Sequence, residues 1–173
     1  MKEAAAMLPW LAFLIGLPAC NDSAGPIHVP QDEISVEGES LRLSLSVEPR
    51  TIAPDDTARF EIRVRNISNR TLHLEAGGCP IVYYVENAAG EIVVPEGGHW
   101  VCITILQLID LTPGGTRERS ETWSGESCRW ADGQRECERL PAGAYRVYAT
   151  FRAAEGGEPV SLRTPKITLR LED

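Results

Sequence analysis

Five cysteines, Cys20, Cys79, Cys102, Cys128 and Cys137, are the residues of this chain whose type and spacing point most directly to chemistry. The last four lie in the body of the sequence, and an even set of four in a chain bound for an oxidising compartment reads as two disulfides. Three pairings are open. Spacing favours Cys128 with Cys137, because "CRWADGQREC" centres on Asp132-Gly133, the turn pair of a short hairpin, which leaves Cys79 to Cys102. Zinc is the competing use, with His99 three residues before Cys102, but no CxxC or His-x3-His spacing occurs and no metal is expected. Catalysis has little to stand on. The histidines are His28, His73 and His99, and only His99, beside Trp100 after Gly97-Gly98, sits in a loop of the kind that carries function. The string "WSGES" around Ser124 and Ser127 lacks the glycine pair of a nucleophile elbow. No catalytic residue, no cofactor and no enzyme activity are expected.

Cys20 has a different setting. It ends the apolar run "MLPWLAFLIGLPA" and is followed at once by Asn21, Asp22 and Ser23. Thirteen residues of helix span about 20 Å, too little for a bilayer core of about 30 Å. A short apolar stretch closed by small residues is the pattern of a secretory signal. Leu17-Pro18-Ala19-Cys20 resembles a bacterial lipobox. In that motif the chain is cut before the cysteine, whose sulfur takes a diacylglyceryl group. Two acyl chains supply the paired anchor that stable membrane attachment needs. Residues 1–19 are thus expected to be a signal peptide and Cys20 the lipidated first residue of the mature chain. The location expected is the bacterial cell envelope, in the periplasm or at the cell surface.

Removing residues 1–19 leaves 154 of the 173 residues, enough for one domain, and the net charge of -8 argues against nucleic acid and against adhesion to anionic lipid. Residues 20–38 mix proline, glycine and acidic side chains with little periodicity. They read as a flexible tether reaching about 25 Å, with the alternative that Ile34 and Val36 open a first edge strand. From residue 41 the signal becomes period two. "LRLSLSV" sets Leu41, Leu43, Leu45 and Val47 against Arg42, Ser44 and Ser46, and "ARFEIRVRN" sets Phe60, Ile62 and Val64 against Arg59, Glu61, Arg63 and Arg65. That alternation belongs to strands with one buried and one wet face. Further strands are expected at 80–86, 91–94, 101–109, 116–123, 144–152 and 160–171, the last broken at Pro165, and no stretch has helical spacing. The fold class is all-β, an immunoglobulin-like antiparallel β-sandwich of about seven to nine strands over residues 39–173.

Within "LPAGAYRV", Tyr145 is placed to reach back and bond the backbone a few residues upstream, the tyrosine corner of such sandwiches. Asn66-Ile67-Ser68 and Asn69-Arg70-Thr71 match the glycosylation acceptor pattern, but they also read as turn residues that end a strand. Arg59, Arg63 and Arg65 make a basic stripe that Glu61 interrupts, the composition of a solvated sheet face.

The order of "FEIRVRNISN", "NAAGEIV", "LTPGGTRERSETW" and "LPAGAYRVYATF" over residues 41–155 resembles the BsuPI-type domain, the bacterial intracellular proteinase inhibitor family. The resemblance implies an immunoglobulin-like sandwich and inhibition of a serine protease. Two features depart from the family pattern: the cysteine-closed hairpin within 125–139 and the export signal. Taken with the residues, this makes the chain a binding domain. Its partner is an envelope or secreted protein, a protease in the narrower form. Trp100, His99 and Trp130 are the candidate contact residues, because a tryptophan on a stapled loop is the kind of anchor that dominates interfaces. The alternative for each ring is that it covers the sheet end or its own disulfide, while Trp123 reads as core. The alternative function is a structural accessory subunit of an envelope complex that uses a sheet edge.

Overall fold

The computed structural model describes residues 33–173, the side chain of Trp130 excepted. The signal peptide expected at 1–19, the lipidated Cys20, His28 and residues 21–32 of the tether lie outside the described residues. The strands are β1 (Ile34–Glu37), β2 (Leu41–Glu48), β3 (Thr51–Ile52), β4 (Ala58–Asn66), β5 (Leu72–Ala76), β6 (Ile81–Glu86), β7 (Ile92–Val94), β8 (Gln107–Leu111), β9 (Thr116–Trp123), β10 (Glu126–Ala131), β11 (Gln134–Arg139), β12 (Gly143–Glu155), β13 (Glu158–Arg163) and β14 (Ile167–Leu171). One sheet runs β1-β2-β4-β9, all antiparallel. The second is built around β12, which pairs β14 and then β13 along one side, and β6 and then β5 along the other. β7 extends from β6, β8 from β5, and the two-residue β3 adds in parallel to β14. β10 and β11 form a separate hairpin.

The two sheets close on each other through the faces that the alternation marks. Leu43, Leu45, Phe60, Ile62 and Val64 of the first sheet are fully or almost fully buried, and so are Val85, Val147, Ala149, Phe151 and Leu169 of the second. The chain is an immunoglobulin-like antiparallel β-sandwich. More strands are present among the described residues than the sequence predicts, because β12 is served by short segments that each cover only part of its length.

Three sequence expectations need correction. The sheet begins at Ile34, where β1 pairs β2 with Ile34 opposite Leu45, so the tether does not extend to residue 38. The strand expected at 101–109 forms only from Gln107; residues 101–106 are irregular, and among the described residues no strand pairs with them. β5 went unread because "LHLEA" is too short, between Asn69 and Gly77-Gly78, to show its period.

Tyr145 forms the expected corner: its hydroxyl donates to the Pro141 carbonyl at 2.7 Å, and its ring stands edge-on to Trp123 at 6.2 Å. Asn66 is a turn residue with a larger task. It is fully buried. Its amide nitrogen donates to the carbonyls of Arg70 and Leu111 at 2.7 and 2.8 Å, and its amide oxygen accepts from the Ser68 backbone and hydroxyl at 2.8 and 2.7 Å. Its backbone bonds Gly114 and Gly115. One side chain therefore joins the end of β4 to the turn before β5 and to the end of β8, and its amide has no freedom to carry a glycan. The stripe on β4 is likewise internally engaged, with Arg59 on the Ser120 hydroxyl at 3.0 Å and Arg63 on Glu118 at 2.6 Å.

Asn66→Ala would orphan two carbonyls and an N–H in a dry site, so a loss of about 2–4 kcal/mol in urea unfolding is expected. Asn69→Ala, at an exposed neighbour, should stay within about 0.5 kcal/mol.

Candidate functional site

At one end of the sandwich the chain leaves β7 through Pro95, makes a 3-10 turn at Glu96–Gly98 and runs through His99 and Trp100 to Cys102. Opposite it, β9 ends at Trp123 and passes through Ser124 and Gly125 into the β10–β11 hairpin. Between the two lies an open cleft of about 760 Å³, with Tyr83, Trp100 and Trp123 as aromatic lining and Glu96, Arg129 and Arg135 among its charged groups.

Both walls are held by sulfur. Cys79 bonds Cys102 and Cys128 bonds Cys137, the pairing favoured by spacing. The hairpin turns at Asp132 and Gly133, both with positive φ (50° and 79°), as a two-residue turn of matching twist requires. Its base is fixed by Ser127, whose hydroxyl donates to the Val93 carbonyl at 2.6 Å, and by Arg139, which donates to the Ser124 carbonyl at 3.1 Å. Beyond the cleft, at the start of β8, Gln107 donates to the carbonyls of Gly77 and Gly78.

Trp100 does not project. Its indole N–H donates to the Tyr83 carbonyl at 2.7 Å, its ring meets Tyr83 edge-on at 5.1 Å, and the Arg119 guanidinium lies 5.8 Å from its centre. It packs against the core and forms part of the cleft. Trp123 is buried as core, with its N–H on the Glu126 carbonyl. His99 is exposed at the rim. Trp130 lies on β10 opposite Arg135; the contact expected of its side chain falls outside what the structure describes. The sequence thus located the two loops, but Tyr83 was missed, and only its place at an inward position of the strand it shares with Val85 signals it.

The polar groups here pair among themselves. Ser124 donates to Glu126 at 2.9 Å, and among the described residues no hydrogen bond joins His99 to either. Glu126 lies close to the sulfurs of Cys128 and Cys137, but those sulfurs are bonded to each other and offer no thiolate. His73 meets Asp110 at 2.8 Å on the exposed side of β5 and β8 and is no part of the cleft. Burial, aided by Glu121, pushes the Tyr83 phenol up to about 12, against the pull of Arg119 and Arg135. What remains is a recess fit for an apolar or aromatic group, framed by charges.

A second cluster lies on the outer side of β12. Tyr84 stacks on Tyr148 at 5.1 Å, the Arg163 guanidinium lies over Tyr148 at 3.8 Å, and buried Glu86 is met by Lys166 at 2.5 Å and Arg163 at 3.5 Å. Its charges are matched and its rings covered, so its role is structural.

No protein-family model matches the chain, and no curated protein does. Solved structures do. The C-terminal domain of Wzt is similar at 9% identity and a TM-score of 0.46, over 83% of this chain and 80% of that one. The CARDB domain of the PF1109 protein from Pyrococcus furiosus is similar at 14% identity and 0.42, over 79% and 93%. A β-glucosidase from Listeria innocua is similar at 13% and 0.44, and there this chain spans only 17% of the enzyme's length. Among the described residues no helix is long and apolar enough to cross a membrane, and the two disulfides mark an oxidising, extracytoplasmic setting.

The buried phenol sets an alkaline limit on stability. The unfolded phenol releases its proton near 10.0 and the folded one near about 12, so between those values the folded chain holds more protons. Stability should be intact below pH 10 and fall by about 1.4 kcal/mol per pH unit through that window. Tyr145 and Tyr148 are raised in the same direction by burial. Tyr83→Phe is expected to make the fall shallower, measured as denaturant midpoints from pH 9 upward, and an unchanged fall would assign it elsewhere.

Proposed function

We propose that this chain is a lipid-anchored, non-catalytic binding domain of the bacterial cell envelope that holds a protein partner in the cleft between the Pro95–Cys102 loop and the β10–β11 hairpin. The observation that carries the reading is an aromatic recess with a disulfide on each side. A recess whose walls are already ordered loses little conformational entropy on binding. Aromatic side chains at the centre of a pocket are the usual source of interface energy. The partner is a secreted or envelope protein that presents an apolar or aromatic side chain to Tyr83, Trp100 and Trp123. Cys20 carries the lipid. The twelve residues 21–32 then span at most about 40 Å between membrane and sandwich.

A second reading, inhibition of a protease as the BsuPI-type resemblance implies, is favoured by the hairpin itself. It is a stapled two-stranded projection with Gln134–Glu138 exposed, a shape that can enter a protease cleft.

Thr122 is exposed at the cleft and leaves the core untouched, so Thr122→Arg separates the readings. Affinity capture of the full chain from its native envelope is expected to yield a partner whose recovery drops about tenfold or more with Thr122→Arg. The same proteins at the same yield would discard the cleft. Inhibition of any member of a serine protease panel at micromolar concentration, insensitive to Thr122→Arg but lost on hairpin changes, would move the function to the hairpin. Mass spectrometry of the N-terminal peptide should show acyl mass on Cys20, and an unmodified thiol there would remove the anchor.

A further inference from the structure

The other end of the Cys102 loop carries a feature that the cleft does not use. Val101, Ile103, Ile105, Leu106 and Leu108 are exposed to between 50% and 92%, a continuous aliphatic strip of the kind that marks an interaction surface. It runs directly into β8, which among the described residues pairs only with β5 and has no strand on its other edge. Over 101–106 the one backbone bond among the described residues is Ile105 N–H to the Ile103 carbonyl at 3.0 Å, so the main chain there is free to pair.

Several other edges of the molecule carry the usual protection against strand addition. β9 bears Arg117, Glu118, Arg119 and Glu121; β3 and β7 have two and three residues; β13 opens with Glu158-Pro159 and ends on Arg163. Residues 103–111, "ITILQLIDL", hold a single charge, Asp110.

The pattern of that segment identifies its occupant. Read outward from Gln107 in both directions it is the same: Leu106 and Leu108, Ile105 and Ile109, Thr104 and Asp110, Ile103 and Leu111. Two antiparallel copies related by a two-fold axis through Gln107 place each residue opposite its mirror position. Every aliphatic side chain then faces an aliphatic one, and Asp110 faces a threonine. We propose that a second copy of this chain docks here, β8 to β8, with residues 103–106 drawn into the ladder as its extension. This is an isologous contact, in which the same patch serves both copies. Leu106 and Leu108 of the two copies form a four-leucine cluster on the outer face, where cross-strand pairs of this type stabilise a sheet. The net charge of -8 does not prevent it. The two Asp110 carboxylates end six positions apart along the ladder, about 20 Å, well beyond the roughly 8 Å over which charges act at physiological salt. The contact is a band about 30 Å long and one strand wide, smaller than the roughly 800 Å² per partner of a stable interface, so the dimer is a weak, concentration-dependent one. If Cys20 carries the lipid as proposed above, confinement to a membrane raises the local concentration and favours it further.

The test is a charge exchange across the proposed pairs. Two differently tagged copies of the full chain are co-expressed, solubilised in nonionic detergent and purified through one tag. Wild-type copies should co-purify. Leu106→Lys paired with itself, and Leu108→Glu paired with itself, should each lose roughly tenfold of that recovery. Leu106→Lys with Leu108→Glu should recover to near the wild-type level, because each lysine then meets a glutamate. Both positions are exposed, and unchanged thermal melts confirm that the variants fold. Wild-type copies that do not co-purify, self-paired variants that co-purify undiminished, or a mixed pair that fails to recover would each overturn the proposal. The Thr122→Arg variant should leave co-purification unchanged, which keeps this test separate from the cleft.

Discussion

The second sheet depends on one strand, β12, that takes partners along both of its edges. β12 has thirteen residues, and its central run Val147 to Phe151 is buried on both faces. One face meets the first sheet through Val147, Ala149 and Phe151. The other would be wet in an ordinary antiparallel sandwich, but Tyr148 is covered by Tyr84, Arg163 and Lys166. That cover has a cost, since it buries the Glu86 carboxylate, and two cations are brought to it in compensation. Because β12 is fixed in this way, β6 is fixed beside it, and Tyr83 on β6 is the residue on which the cleft is laid.

How far the sequence could be read follows from how local each signal is. β2 and β4 were legible because a buried face repeats every second residue over eight and nine positions. The Tyr145 corner and the Cys128–Cys137 hairpin were legible because each is complete within ten residues or so. Asn66 was recognised as a turn residue, but its bond to Leu111 spans 45 positions and no short window contains it. The Glu86–Lys166 contact spans 80. Trp100 was found with its direction left open between a contact surface and the sheet end, since whether an indole N–H points to solvent or to a carbonyl on another strand is set by packing alone.

Residues 101–106 show a different kind of failure. Val, Ile and Thr in close succession are strong strand formers, and the sequence reading of a strand over 101–109 is what propensity dictates. Among the described residues they find no strand to pair with. Natural sequences keep local preference and global structure in agreement, and places where the two part company are most often places with another task. A strand pattern without a strand is such a place. Its residues are held close to the sheet end on one side, because the Ile103 carbonyl sits where a Cβ on Gly78 would stand at 2.1 Å, and are left open on the other.

The two disulfides can be weighed in the same terms. They close loops of separation 23 and 9, and in the chain-entropy account each contributes about 3 kcal/mol by limiting the unfolded chain. A sandwich with a core from two full sheets needs neither for that purpose alone. What both have in common is position: each fastens a segment that the sheets hold poorly. The hairpin is a two-stranded unit that among the described residues pairs with no other strand, and two strands alone are marginal in water. The loop from Pro95 to Leu106 carries a single short turn. Without sulfur, both would be the parts of the molecule most free to move, and the recess between them would have no fixed width. The bridges therefore act less on the stability of the fold than on the geometry of one end of it, the end where the aromatic rings gather.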